Sequence, residues 1–211
     1  MASITRKKRP GRADSRTPTK QRLLLAVERL LSRGESFTEM SVGRLIAEAG
    51  VSRSTFYVHF ADKGELLRAL TSDIADELAT AASVCWDLPA NTTREDVTNG
   101  LLHLVEVYLP HADLLAAIVE MAGYDAVVRA HWISLMEQVI ADAATHIRRG
   151  QGEGSIRSDV RPVETAQWLI WMIERGVYQL VRNAAPTDAR ALIDELGNII
   201  WYRLYESRPP A

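Results

Sequence analysis

The chain has 211 residues, with 25 Lys or Arg against 27 Asp or Glu and a formal net charge of -2, a length that suits one sizeable domain or two small ones. Its longest charge-free runs, Leu78 to Trp86, Val97 to Val105 and Thr165 to Ile173, are half the ~18 residues a bilayer span requires. The basic cluster Arg6-Lys7-Lys8-Arg9 leads into Pro10-Gly11-Arg12 and not into an apolar signal core, and the lone Cys85 excludes an internal disulfide or a thiolate zinc cluster.

A cytoplasmic protein without membrane partner, metal or cofactor is the expectation. With 47% hydrophobic residues the chain can bury a core. The near-zero net charge hides an asymmetry: residues 1–60 carry 12 Lys or Arg against 5 Asp or Glu, and residues 61–211 carry 13 against 22. A basic first quarter on an acidic body suits a module for phosphates. Basic N-termini are common, so charge alone does not decide this.

Residues 1–17 read as a disordered basic arm. Leu23, Val27, Leu30 and Leu31 then share one face of a helix over 19–33, ended by Gly34. Ser41 suits the N-cap of a short helix burying Val42, Leu45, Ile46 and Ala49, and Gly50 breaks it. Ser52 suits the N-cap of another, with Phe56 and Phe60 as its apolar anchor at i, i+4. A fourth helix starts near Asp62 and runs through Leu66, Leu67, Leu70, Ile74 and Leu78. Residues 87–93 read as a linker, followed by helical periodicity in 97–109, 112–122, 125–149, 163–183 and 188–205. Gly150, Gly152 and Gly154 read as a flexible loop. The fold class is all-α with about nine helices. The divisions are 1–17 as the arm, 18–62 as a three-helix unit, 63–86 as a connecting helix, and 87–211 as a larger helical domain.

Between Ser41 and Phe60 the pattern is short helix, tight turn, short helix, the shape of a helix-turn-helix whose second helix enters the major groove of DNA. Gly50 supplies the left-handed residue such a turn needs. The run Gly50-Val51-Ser52, then Thr55-Phe56-Tyr57, His59-Phe60 and Lys63, resembles the DNA-binding segment of TetR-family transcriptional regulators. That resemblance covers about residues 19–80. Glu174-Arg175 in the penultimate helix and Trp201 in the last resemble the family's EthR-like subgroup.

The resemblance implies a sequence-specific regulator, most simply a repressor released from a palindromic double-stranded operator by a small apolar effector. It implies that Arg53 and Ser54 face base edges with Thr55 and Tyr57 close by, and that Ser41, Arg44, Ser52, Tyr57, His59 and Lys63 mainly serve the DNA backbone. Arg53 has the sharpest role, because a guanidinium can bond two acceptors of guanine. Tyr57 and His59 also suit the edge of a core, and Lys63 a solvated position. Lys7, Lys8, Arg9 and Arg12 of the arm suit a neighbouring minor groove or loose phosphate contact.

In the larger domain, Met121, Trp132, Met136, Trp168, Trp171, Met172 and Tyr178, with the polar Glu174, Arg175 and Asn183, form the candidate ligand pocket. Such an aromatic stripe is also what an ordinary core looks like. The last two helices, with Leu169, Ile173, Val177 and Leu180 on one and Leu192, Ile193, Leu196, Ile199 and Ile200 on the other, suit a two-fold four-helix bundle or burial within one chain, and the resemblance implies the homodimer. A regulator, activator or repressor, that answers to a protein partner and binds no small molecule is the alternative. An enzyme is not expected: there is no G-x-S-x-G, phosphate loop, H-E-x-x-H or strand-borne G-x-G-x-x-G, and the five histidines are scattered.

Overall fold

The computed structural model describes residues 18–205. Among them the chain forms nine α-helices and no strand, as its apolar periodicity requires. The arm residues Lys7, Lys8, Arg9 and Arg12 lie outside the described residues. Two compact units divide between Lys63 and Gly64.

The first unit holds α1 (Pro18–Ser32), α2 (Val42–Ala49) and α3 (Arg53–His59). Leu23, Ala26, Val27 and Leu30 bury one face of α1 completely, and Leu45, Ala49, Phe37, Met40, Phe56 and Phe60 complete the core. Phe56 and Phe60 stand one turn apart with ring centroids 5.7 Å apart. Both expected N-caps form: Ser41 Oγ accepts from Arg44 N at 3.1 Å, and Ser52 Oγ accepts from Thr55 N at 3.0 Å. Each satisfies an otherwise orphaned helix-start amide.

Gly50 sits at φ 62°, ψ 36°, the left-handed region where only glycine is unstrained. There its N–H and that of Val51 reach back to the carbonyls of Ala47 and Ile46, at 3.3 and 3.1 Å, and close the end of α2. Its own carbonyl accepts from Arg22 of α1, so one residue both turns the chain and ties it to α1.

The second unit follows from α4 (Lys63–Trp86), whose first residue closes the first unit. It continues with α5 (Arg94–Tyr108), a 3-10 turn (Leu109–His111), α6 (Ala112–Ala122), α7 (Ala126–Glu153), α8 (Pro162–Gly176) and α9 (Pro186–Leu204). Val177–Val181 prolongs α8 as a π-helical stretch. Pro162 and Pro186 stand in the first turns of α8 and α9, where a missing N–H has no consequence. Thr93 and Asp96 form a reciprocal capping box at the start of α5, and Asp125 Oδ1 accepts from the amides of Val127 and Val128 at the start of α7.

The fourth helix runs to Trp86, because Ala81, Ala82 and Cys85 continue its buried face. Two features depart from the expectations. Gly150 and Gly152 are no flexible loop: they lie inside α7, and Gly154 alone leaves it, at φ 75°. Gly150 is there for space, since a Cβ on it would stand 2.6 Å from the Ile156 side chain. The second departure concerns residues 94–122, whose length and most apolar window (mean hydropathy 1.4) would suit a bilayer. They are two helices broken at Leu109–His111, with α5 packed on α9 and α6 on α7. Leu101, Val105, Leu114, Leu115 and Ile118 are buried in that packing, which accounts for the apolar composition.

Replacing Gly50 with alanine forces a Cβ into the left-handed region and to within 2.9 Å of the Arg22 guanidinium. Gly50→Ala should lower the stability of the first unit by about 1–2 kcal/mol, read as a lower urea midpoint at unchanged slope.

Candidate nucleic-acid interface and ligand cavity

Burying Phe56 and Phe60 decides what the rest of α3 shows. Arg53, Ser54, Tyr57, Val58 and His59 are all exposed, and Thr55 is half-buried. Arg53 and Tyr57 are i, i+4 neighbours, with the guanidinium carbon 5.7 Å from the ring centroid, so the arginine rests on the phenol face in an extended pose. Tyr57 in turn meets Phe56 edge-on at 5.3 Å. Ser52, Ser54 and Thr55 gather their hydroxyls at the start of α3, with Ser52 Oγ 2.8 Å from Ser54 Oγ and 2.7 Å from Thr55 Oγ1. His59 is exposed and packs only obliquely on Phe60, at 6.2 Å between ring centroids.

Val58 was not among the expected site residues, yet it is 79% exposed beside Tyr57. An apolar β-branched side chain projecting from such a helix suits contact with a thymine methyl. The i, i+4 spacing from Ser54 was the available signal.

Two expected backbone contacts have other partners. Arg44 turns its fork onto Glu35, with Nη2–Oε1 at 2.8 Å and Nε–Oε2 at 3.2 Å, and reaches Glu48 Oε2 at 3.3 Å. Glu48 also receives Arg29 Nε at 2.9 Å and Arg33 Nη1 at 3.1 Å, so one carboxylate gathers three arginines from α1, the turn after it and α2. These bonds, that from Arg29 above all, hold the Glu48 carboxyl below the usual range, while the bond to Glu35 raises Arg44.

Lys63 donates to the carbonyls of Phe37 at 3.1 Å, of Thr38, and of Met40 at 3.0 Å. Its ammonium stands 5.8 Å from the Phe37 ring centroid. An ammonium has three protons, and all three serve the 37–40 loop, which Lys63 ties to the start of α4.

In the second unit the apolar faces of α4 to α8 enclose a cavity of about 230 Å³. Trp132, Met136 and Glu174 of the expected set line it, together with Cys85, Trp86, Tyr108, Leu115, Val139, Ile170 and Ile173, which were not expected in a pocket. Cys85 and Trp86 stand in the last turn of α4 and close its end of the wall. Burial pushes the Cys85 thiol up to about 12 and leaves it an inert, thiol-form wall residue. The Tyr108 phenol is likewise pushed up to about 12, first by burial and then by the Glu174 charge.

Other expected lining residues lie elsewhere. Trp168 is 79% exposed and Trp171 37%, and with Met172 and Arg175 they line an open groove of about 810 Å³ between α8 and α9. Helical spacing alone does not distinguish the two sides of α8. Asn183 is exposed and Tyr178 half-buried beneath the guanidinium groups of Arg175 and Arg182. Neither these two nor Met121 lines the cavity or the groove. The expected dimer face is divided too: Leu169, Ile173, Val177, Ile193 and Ile200 belong to the core of the unit, whereas Leu180, Leu192 and Ile199 are exposed.

A three-helix unit ending in an exposed, capped second helix of a helix-turn-helix, followed by a larger helical unit, is the layout of a helix-turn-helix DNA-binding protein. Comparison with known proteins gives the family. Residues 28–70 match the model for bacterial regulatory proteins of the tetR family, and residues 97–205, about half the chain, match the C-terminal domain of the transcriptional regulator EthR. The chain therefore belongs to the TetR family, on its EthR-like branch. It is a DNA-binding transcriptional regulator and not an enzyme.

The chain is 25% identical to the regulator EthR of Mycobacterium tuberculosis H37Rv over 202 residues, covering 95% of this chain and 93% of that one. Against the transcriptional repressor DhaR of Mycobacterium sp. GP1 the identity is 28% over 182 residues, covering 82% and 89%. Among solved structures, a transcriptional regulator from Saccharomonospora viridis in complex with choline superposes with a TM-score of 0.68 at 18% identity, covering 91% of this chain and all of that one.

The donor count at Lys63 separates two roles. Lys63→Gln should lower the stability of the first unit by about 1–3 kcal/mol, because loop carbonyls lose a charged donor. A purely phosphate-binding lysine would instead leave the thermal midpoint unchanged and weaken DNA binding alone.

Proposed function

We propose that the chain is a homodimeric repressor that covers a palindromic operator and is released by a small apolar effector. The observation that carries the reading is the exposed face of α3: Arg53 and Ser54, with Thr55, Tyr57 and Val58 beside them, project from a helix whose other face is anchored by Phe56 and Phe60. In this reading Arg53 bonds a guanine edge, Val58 meets a thymine methyl, and Ser41, Ser52, Tyr57 and His59 bond phosphates. Arg44 and Lys63 contribute indirectly, by holding α2 and the 37–40 loop in place. The arm residues Lys7, Lys8, Arg9 and Arg12 add affinity through the backbone or an adjacent minor groove.

Two half-sites one helical turn apart, about 34–36 Å, require two copies of α3. The exposed Trp168, Trp171, Leu180, Ile199 and Tyr202 on the last two helical elements are the surface we assign to the second copy, because large apolar patches seldom stay uncovered. The cavity walled by Trp132, Met136 and Glu174 takes the effector. The choline bound to the Saccharomonospora regulator supports reading this fold as a small-molecule receptor. Helix α4 starts at Lys63 and supplies cavity residues from Thr71 to Trp86. Effector binding there favours a conformation in which the half-site spacing is wrong, by as much as its affinities for the two conformations differ.

Selection from a pool of random duplexes at two salt concentrations tests the reading. An enriched palindrome is expected, and Arg53→Ala should relax one base position in each half-site, at a loss of about 1–3 kcal/mol. Salt-sensitive binding with no enriched motif would contradict sequence readout by α3.

A further inference from the structure

The cavity of the second unit is not uniformly apolar: Thr71 and Gln138 in its wall have hydrogen-bond partners, the Asp76 carboxylate stands at its exposed edge, and Glu174 is the buried carboxylate. The Glu174 side chain is only 10% exposed, and its Oε2 accepts no hydrogen bond. Arg175 Nε stands 3.7 Å from that oxygen, an ion-pair distance too long for a hydrogen bond. The Arg175 guanidinium instead lies over the Tyr178 ring, 5.4 Å from its centroid, on a side chain that is half exposed. A carboxylate withdrawn from water without a donor is costly, and burial accordingly raises the Glu174 carboxyl above its ordinary value against the opposing charge of Arg175.

Around Glu174 the wall carries three aromatic rings, from Trp86, Tyr108 and Trp132. Aromatic faces attract a cation by their quadrupole, indole most strongly. The Trp86 indole N–H is a second buried polar atom without a partner, a donor that an ammonium does not serve. A neutral apolar occupant would leave the carboxylate oxygen orphaned. An occupant with an ammonium group would donate to Oε2 and place its positive charge among the rings. The volume, about 230 Å³, lies below the ~300–1,000 Å³ of sites for drug-sized ligands, so the occupant is small.

We propose that the cavity is a receptor for a small lipophilic amine, bound as its ammonium form with Glu174 as counter-ion and the Trp86, Trp132 and Tyr108 rings around it. The proposal rests on the reading of this cavity as the effector site and narrows it to one chemical class.

Isothermal titration calorimetry of the full chain with three probes of the same skeleton tests it: 4-phenylbutylamine, 4-phenylbutanol and 4-phenylbutanoate at neutral pH. The amine should bind about tenfold or more tighter than the alcohol, the order of one charge-assisted hydrogen bond, and the carboxylate should bind weakest. Glu174→Gln should remove the preference for the amine while leaving alcohol binding within a few fold. The comparison on the unaltered chain stands even if that variant folds poorly. Alcohol binding equal to or tighter than amine binding, or an amine preference that survives Glu174→Gln, would overturn the amine assignment and leave an apolar effector site. Absence of binding by all three would overturn both.

Discussion

A seven-residue helix cannot hold itself together in water, because nucleating a turn fixes more backbone than its few hydrogen bonds repay. Helix α3 is such a helix, Arg53 to His59, and it exists because Phe56 and Phe60 are buried in the first unit. That constraint sets everything it displays. With those two rings inward, the 3.6-residue period puts Arg53, Ser54, Tyr57 and Val58 outward. The Ser52 cap starts the helix, the left-handed Gly50 sets where it begins, and the Glu48 cluster and Lys63 fix the elements on either side. The surface assigned above to DNA is thus a by-product of how a very small core is closed.

The second unit meets the opposite problem. Six helices bury enough apolar surface to fold, yet the faces of α4 to α8 do not close on one another between Trp86, Trp132 and Ile173. The space opens past the exposed Asp76 and Gln138, so a small molecule has a way in. The buried Glu174 carboxylate in its wall has Arg175 at ion-pair distance but no hydrogen bond on Oε2.

How far the sequence alone reached depended on how local the determining interaction was. Both N-caps, the Gly50 turn and the Phe56/Phe60 anchor involve residues at most four apart, and they were legible. The all-α class followed from the same local periodicity. Arg44 and Lys63 were read as DNA-facing because a basic residue near a reading helix has an obvious partner. Their observed partners, Glu35 nine positions away and the 37–40 carbonyls more than twenty positions away, emerge only once the chain folds back. On α8 the period marked an amphipathic helix, but Trp168, Trp171 and Ile173 are large apolar residues on different sides of it. Only tertiary packing assigns Ile173 to the core and Trp168 to the surface. Gly150 showed the reverse: a residue that breaks helices by itself was kept inside α7 by the close approach of Ile156.

The central claim is that α3 is a preformed reader used in pairs. Calorimetric titration of the full chain into a duplex bearing the selected palindrome, alongside a duplex with one half-site scrambled, tests it most directly. The account predicts an even number of chains per intact duplex, two for a single dimer, and a loss of affinity of several kcal/mol when one half-site is scrambled, the sum of a few mismatches at about 1–3 kcal/mol each. One chain per duplex, or equal affinity for the two duplexes, would contradict it.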